Sequence, residues 1–436
     1  MKIYNSLTDK KEDFKPINEG KINMYVCGPT VNKRTHIGHL YPAIFFDTVY
    51  RYFKYSGFDV KYASNFTDVD DKIIASAIEE GVSESEIANR YADLYLQDLK
   101  TVDCLPVDYR PRVTEYIDDI IEFIQKLLDL GYAYKNGDDI YLNVKKIEKY
   151  GILSNQKIDE LAYGNRIEVD NYKENPFDFV LWKHTTEGIK WNAPFGEGRP
   201  GWHTECVVMI NKIFGNLIDI HGGGIDLKFP HHENEIAQSL ALNNNTLANY
   251  WMHNGHLMLN GVKMSKSLGN VITLDNLIKD YSPNTIRLAM LKNNYRNPLS
   301  LSDELFNESK TIDDKLINLS KMIKLFISKN NINDIDDDNR IKEIMDDDFN
   351  TSNLISYLLE IIKNLNSAIR NNSLNEFEKS FKTLKDIIYI LGLEYDINPL
   401  SDEELNIYSE WEKYRNEKNF DKADVLRKEL VEKGVL

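Results

Sequence analysis

The sequence predicts an α/β protein in which a parallel sheet carries an insertion and gives way to helices over the last third of the chain. Three observations predict it. A strand, a glycine turn, a helix and a second strand follow one another within the first 65 residues. A turn-rich stretch from about 109 to 200 interrupts that pattern, which then resumes, and beyond Ser302 the apolar residues recur only at helical spacing. At 436 residues and 42% hydrophobic content the chain exceeds one ordinary core and divides into about two to four domains.

The apolar run Met24 to Val26 is the first strand, and Gly28-Pro29 turns the chain after it. From His39 to Tyr55 apolar and aromatic residues keep helical spacing, and Val60 to Ser64 is the second strand. Asn65-Phe66-Thr67-Asp68 then leads into a helix at Asp71 to Glu80, which completes a βαβ unit and makes the strands parallel. In the insertion, a helix at Val113 to Leu130 and a strand at Asp139 to Val144 precede turns marked by Asn165, Pro176, Pro194 and Gly196. The sheet resumes with Asn216 to Ile220, which runs into His221-Gly222-Gly223-Gly224 before a helix from His231 to Leu240, and the site is expected at the sheet's carboxyl edge. Three bundle helices follow, traced by Ile312-Leu316-Leu319-Ile323-Phe326, by Leu354-Leu358-Ile361-Leu365 and by Phe377-Phe381-Leu384-Ile388-Leu391. An acidic loop, Asp334 to Asp338, separates the first two, and Asn398-Pro399 marks the boundary before a charged helical tail.

Composition excludes several classes. No stretch approaches the roughly 20 apolar residues of a membrane span, and the polar amino terminus is not signal-like, so a cytosolic protein is expected. Three cysteines cannot frame a chain this long with disulfides, which leaves metal binding or burial as their roles. The formal net charge of −16 argues against a polyanionic partner, although an acidic body can carry a basic groove.

The chemistry is concentrated in a few strings. His36-Ile37-Gly38-His39 stands where a glycine turn becomes a helix, so imidazoles, backbone N–H groups and the helix dipole converge on a place suited to phosphate. Gly38 lets a ribose or flat ring approach the backbone. Lys263-Met264-Ser265-Lys266-Ser267, bounded by Gly261 and Gly269, suits a loop that closes over phosphates, with its lysines as point charges. Alone, the first string fits an ordinary capped helix and the second a solvated loop; together, in this order and on a βαβ start, they point to ATP. His231 and Glu235 lie four apart on a predicted helix and face one way, a half-site for zinc that Cys27 and Cys206 would complete. Cys104 is assigned to the inert class. Gly201-Trp202-His203-Thr204-Glu205-Cys206 adds an aromatic wall and an imidazole beside one proposed ligand, and His221-Gly222-Gly223-Gly224 with Asp226 reads as a backbone-exposing loop for ribose or adenine.

These segments, with Asn65 to Ile74 (NFTDVDDKII), Pro111 to Tyr116 (PRVTEY), Phe177 to Trp182 (FDFVLW), Gly198 to Cys206 (GRPGWHTEC), His221 to Gln238 (HGGGIDLKFPHHENEIAQ), Tyr250 to His253 and Met345 to Thr351 (MDDDFNT), resemble the cysteinyl-tRNA synthetases, a family of class I aminoacyl-tRNA synthetases. The resemblance implies a Rossmann-type catalytic domain in two halves, 1–108 and 201–255, split by a connective insertion at 109–200. A stem-contact region at 256–302 carrying the lysine loop, a helical bundle at 303–397 and a shortened anticodon-binding tail at 398–436 would follow, since family members usually continue past the last helix into a further strand. Residue by residue, it places Cys27, Cys206, His231 and Glu235 on the zinc ligands, and Gly28, Thr67, Trp202 and His203 around the substrate cysteine. It places His36, Gly38, His39, His221, Asp226, Lys266 and Ser267 on ATP, with His36, His39, Lys263 and Lys266 catalytic. One zinc per chain, Mg2+ with ATP, tRNA(Cys) and L-cysteine are the implied cofactors and partners of a cytoplasmic monomer.

On that reading zinc takes the substrate sulfur as thiolate and thereby rejects serine, with donors such as His203 offsetting the accumulated negative charge. Two other readings stand beside it. One is a ligase joining cysteine to an amino sugar, as in the mycothiol pathway, against which the Lys- and Arg-bearing last helix (Lys413 to Lys428) weighs. The other is a zinc-dependent thiol sensor without catalysis, against which His36, His39, Lys263 and Lys266 weigh.

Overall fold

The computed structural model describes residues 1–156, 173–259, 261–263, 271–333 and 339–436. Asn165, Lys266, Ser267 and the acidic loop 334–338 lie outside the described residues.

At the centre is a four-stranded sheet whose order is Ala248–Asn254, Ile218–Gly224, Lys21–Val26 and Asp59–Ala63. All three pairings are parallel, and the βαβ start accounts for it, since a crossover helix returns the chain in the same direction. That crossover is the helix Ile37–Tyr55, which buries Ile44, Phe45, Phe46, Val49 and Phe53 in the core it shares with the sheet. The strand Ile218–Gly224 is buried at every position, as expected of a parallel strand covered on both faces.

That strand differs from the sequence expectation. It runs through His221-Gly222-Gly223-Gly224 instead of ending before them. A Cβ on Gly222 would stand 2.3 Å from the Phe46 ring, and one on Gly223 would stand 2.9 Å from His232. Gly222 and Gly223 therefore admit side chains from neighbouring elements, whereas Gly224 lines the cleft. A helix not anticipated from the sequence, Glu84–Thr101, follows Asp71–Glu80 and is capped by Ser83, whose hydroxyl accepts from Glu86 N–H at 3.2 Å.

The insertion forms its own antiparallel sheet, ordered Ala133–Asn136, Asp139–Leu142, Phe179–Lys183, Gly196–Pro200 and Trp191–Ala193. Its helix begins one turn later than expected, at Ile117, after a short 3₁₀ turn at Val113–Glu115, and the expected strand to Val144 stops at Leu142. Asp71 joins the insertion to the catalytic domain by bridging Lys183 and Arg199.

The last third is helical: Asp303–Lys329, Thr351–Arg370 and Leu374–Leu391, then a hairpin of Asp402–Asn416 and Phe420–Glu432. Bundle and sheet domain meet at a buried ionic knot. Asp47, on the crossover helix, accepts from Arg51 Nε at 2.9 Å and from Arg287 Nη2 at 2.6 Å. Arg287 also donates to the carbonyls of Val102 and Leu391, each at 2.8 Å. No described helix is long and apolar enough to cross a membrane.

Candidate active site

Cys27 is the first residue beyond the strand Lys21–Val26, tied to its neighbour by a hydrogen bond from its N–H to the Gly222 carbonyl at 3.2 Å. Cys206 comes from the helix Thr204–Phe214, and Glu235 from the helix Glu233–Asn243. His231 sits just before that helix, on the wide turn Lys228–His232, and still faces Glu235, with Nε2 to Oε1 at 2.9 Å. Cys27 Sγ lies 3.6 Å from Cys206 Sγ, 3.6 Å from His231 Nε2 and 3.7 Å from Glu235 Oε1, and Cys206 Sγ lies 3.8 Å from His231 Nε2. Zinc bonds of ordinary length put donors at tetrahedral corners about 3.8 Å apart for two sulfurs, about 3.6 Å for sulfur and nitrogen, and about 3.4 Å for nitrogen and oxygen. The Cys27–Cys206 edge is slightly tighter than this and the His231–Glu235 edge clearly so, and the other edges match, so the four residues fit a zinc ion after a small expansion.

The electrostatics of the corner favour the same role. A hydrogen bond from Cys27 lowers Cys206 to about 6, even though burial opposes the thiolate. Burial, reinforced by the hydrogen bond to Cys206, holds Cys27 well up as a thiol. Burial also opposes charge on His231, but Glu235 and Cys206 outweigh it and raise the imidazole to about 10. An anionic pocket that gathers a proton in this way exchanges that proton for a cation.

Behind these four stands a second layer. His203, expected beside the substrate, lies behind His231 instead, Nδ1 to Nδ1 at 3.0 Å. Burial and the neighbouring His231 push His203 down to about 3, so it is neutral and accepts the His231 Nδ1 proton, which aims Nε2 at the metal position. That role differs from the donor to a substrate sulfur anticipated from the sequence. His221, expected at ATP, is fully buried away from the cleft, stacked on Trp251 at 4.4 Å and 13°, with Nε2 2.7 Å from Glu235 Oε2. It lies in the interior of a strand and does not line the cleft. His232 and His253, assigned no role from the sequence, continue the layer: His232 Nδ1 is 2.8 Å from His253 Nε2, and His253 Nδ1 is 2.9 Å from Ser6 Oγ. The signal was present, since of nine histidines all but His184 stand on the cleft or behind this corner.

The metal corner opens into a cleft of about 550 Å³ that also takes in His36, Gly38, His39, Thr67 and Asp226. His36 caps the crossover helix: its Nδ1 accepts from Gly38 N–H at 3.1 Å, and His39 Nδ1 accepts from His36 N–H at 3.3 Å. Neutral rings that accept through Nδ1 carry their proton on Nε2, as donors. Gly28 is obligatory, because a Cβ there would stand 1.7 Å from the Asn65 carbonyl oxygen. Trp202 stacks on His231 at 4.4 Å and is 42% exposed, so it forms an aromatic wall beside the metal position. Thr67 Oγ1 donates to Glu205 Oε2 at 3.2 Å. Lys263 ends the short strand Val262–Lys263, which pairs with Leu257–Leu259 next to the cleft-lining His256 and Leu257.

Residues 13–311 match the family model for tRNA synthetases class I (C) catalytic domain, and residues 340–395 match the DALR domain. A cysteine–tRNA ligase of Acholeplasma laidlawii (strain PG-8A) is 47% identical over 440 residues, covering 100% of both chains. The chain belongs to the cysteine–tRNA ligase family of class I synthetases. A second cysteine–tRNA ligase, from Geobacillus sp. (strain WCH70), is 45% identical over 100% of this chain and 97% of its own. Because these matches run through bundle and tail, they favour a synthetase over the amino-sugar ligase and the thiol sensor. Among solved structures, this ligase has the fold of Mycobacterium tuberculosis methionyl-tRNA synthetase in complex with methionyl-adenylate, with a TM-score of 0.58 at 14% identity over 90% of this chain and 84% of that one. It also has the fold of the Agrobacterium radiobacter K84 LeuRS seen with tRNA and LeuAMS, with a TM-score of 0.62 at 11% identity over 90% and 88% of the two chains.

Proposed function

We propose that this chain activates L-cysteine with ATP and transfers it to the 3′ end of tRNA(Cys), and that zinc on Cys27, Cys206, His231 and Glu235 selects the substrate. The observation that carries the reading is that one cleft takes in three donors of a zinc-shaped set, Cys27, Cys206 and His231, together with the His36–His39 helix start. When bound, zinc supplies a soft Lewis acid that takes a thiolate and leaves the hard, protonated hydroxyl of serine. Trp202 walls the amino acid, and Gly28 leaves room beside the Asn65 backbone. The Nε2–H groups of His36 and His39, with the helix N-terminus, hold the triphosphate of Mg2+-ATP, while Asp226 faces the ribose. The cysteine carboxylate attacks the α-phosphate, pyrophosphate leaves, and Lys263, Lys266 and Ser267 meet the charge that develops. The terminal ribose hydroxyl of tRNA then attacks the activated carbonyl, its proton is released and AMP departs. The stem-contact region, bundle and tail (256–436) are proposed to hold the tRNA of a cytoplasmic monomer.

Exchange of labelled pyrophosphate into ATP tests this. We expect exchange with cysteine, a rate with serine lower by about 10⁴-fold, and loss on chelation reversed by zinc. Equal exchange with serine overturns selection by the metal, and zinc-loaded protein that exchanges with neither amino acid overturns activation.

A further inference from the structure

Cys27 and Glu235 belong to two donor sets at once. With Cys206 and His231 they form the set described above. With His221 and His232 they form another, whose ligand atoms also all lie within 4.8 Å of one another. Among the described residues, these are the two groups able to hold a metal. Glu235 faces both: Oε1 is 2.9 Å from His231 Nε2, and Oε2 is 2.7 Å from His221 Nε2. Cys27 is likewise shared, its sulfur 3.6 Å from His231 Nε2 and 3.5 Å from His232 Nε2.

The sets differ in exposure and charge. Cys27, Cys206 and His231 line the cleft, whereas His221, His232 and Glu235 do not and are 0% exposed. Nδ1 of His221 is buried without a partner, and His221 Nε2 and Glu235 Oε2 are buried with only one another, 2.7 Å apart. Buried polar atoms are nearly always satisfied, and a bound ion is one of the few things that explains so many ligand-capable atoms gathered with so few partners. His232 is already held as a ligand would be, its other nitrogen fixed through His253 to Ser6. Two thiolates and a carboxylate leave a dication at net −1, whereas one thiolate and a carboxylate leave it neutral, and a closed site favours the neutral combination.

We propose that the corner offers its ion two positions, the open one on the cleft and an inner one on Cys27, His221, His232 and Glu235, and that the inner position retains the metal when Cys206 is lost as a ligand. The proposal rests on the reading that this corner binds zinc. Cys27 and Glu235 stay bonded throughout, with Glu235 exchanging one oxygen for the other, so the ion moves without leaving the protein.

The test uses the full chain with cobalt(II) in place of zinc and reads affinity by chelator competition together with sulfur-to-cobalt charge transfer. Cys206→Ala is expected to keep a tetrahedral spectrum with about half the charge-transfer intensity, as one of two thiolates is lost. Adding His232→Gln to that variant should weaken cobalt by at least about 100-fold, whereas His232→Gln in the native chain should change it by less than about threefold. A merely supporting role for His232 would instead weaken cobalt by about 10- to 100-fold in both backgrounds, and that result overturns the proposal. So does a Cys206→Ala protein without a tetrahedral spectrum. His221→Gln run through the same pair of backgrounds decides the matter if the His232 variants do not fold. Native protein that binds no cobalt would remove the zinc reading itself, a result separable from failure of the inner position alone.

Discussion

Two clusters of buried charge sit in this protein, and they are built on opposite principles. At the knot of Asp47, Arg51 and Arg287 the polar atoms are met: Asp47 takes both guanidinium groups on one oxygen and the Leu105 N–H at 2.8 Å on the other, and Arg287 reaches two backbone carbonyls. At the metal corner, the ligand-capable side chains of Cys27, Cys206, His231 and Glu235 meet one another across 2.9 to 3.8 Å, and His221 Nδ1 is buried without a partner. A satisfied ionic cluster holds domains together; an unsatisfied one waits for something. The comparison separates structural from functional burial without reference to any relative.

Cys27 should give the largest effect. It serves both donor sets, so Cys27→Ala is expected to empty the corner and to lower cysteine-dependent pyrophosphate exchange by more than about 10³-fold, with zinc content measured by elemental analysis. Retention of one zinc per chain would erase the distinction between the clusters. Arg287→Ala should do the reverse, costing about 3 to 5 kcal/mol of stability in denaturant unfolding by leaving Asp47 under-paired, while zinc per folded molecule stays unchanged. Zinc loss in step with Arg287 would show that the clusters are one system. A gentler probe of the same knot is Gly392→Ala. Gly392 has φ +67°, and a Cβ there would stand 2.1 Å from Arg287 Nη2, so a cost of about 1 to 3 kcal/mol is expected.

The smallest effect belongs to an exposed bridge that serves as control. Burial opposes charge on Asp71, but Lys183 and Arg199 prevail and hold its carboxyl below the usual carboxylate range. A lowered folded-state value stabilises the fold above the unfolded value, and that contribution disappears as pH falls through the folded one. Asp71→Asn should therefore cost under about 1 kcal/mol at neutral pH. Its unfolding curve should merge with that of the native chain as the pH drops below about 3.8. A difference that persists at lower pH would mean that the bridge acts through shape and not charge.

Much of the site was legible because its signals are local. The four-residue step from His231 to Glu235, the glycine turn after Cys27 and the histidines at a helix start are each visible within a few positions. His221 was misplaced because three glycines in a row look the same whether they form a turn or, as here, make room in a strand for Phe46 and His232. The supporting role of His203 and the presence of His232 and His253 were hidden because their partners meet only through the tertiary fold. Arg287 was invisible for the same reason: it lies on the helix Pro283–Leu291, far along the chain from Asp47, Val102 and Leu391.

The strands Lys2–Asn5 and Lys10–Asp13 pair antiparallel as a hairpin, and this hairpin has a consequence for biosynthesis. The Asn5 side chain holds the Asn249 carbonyl and the Trp251 N–H, and Ser6 meets His253, so residues made before Cys27 close the back of the corner against almost the last strand of the catalytic domain. However early Cys27 leaves the ribosome, that wall has nothing to rest on until Ala248–Asn254 has emerged. A nascent chain arrested before that strand would carry Cys27 and Cys206 as ordinary thiols.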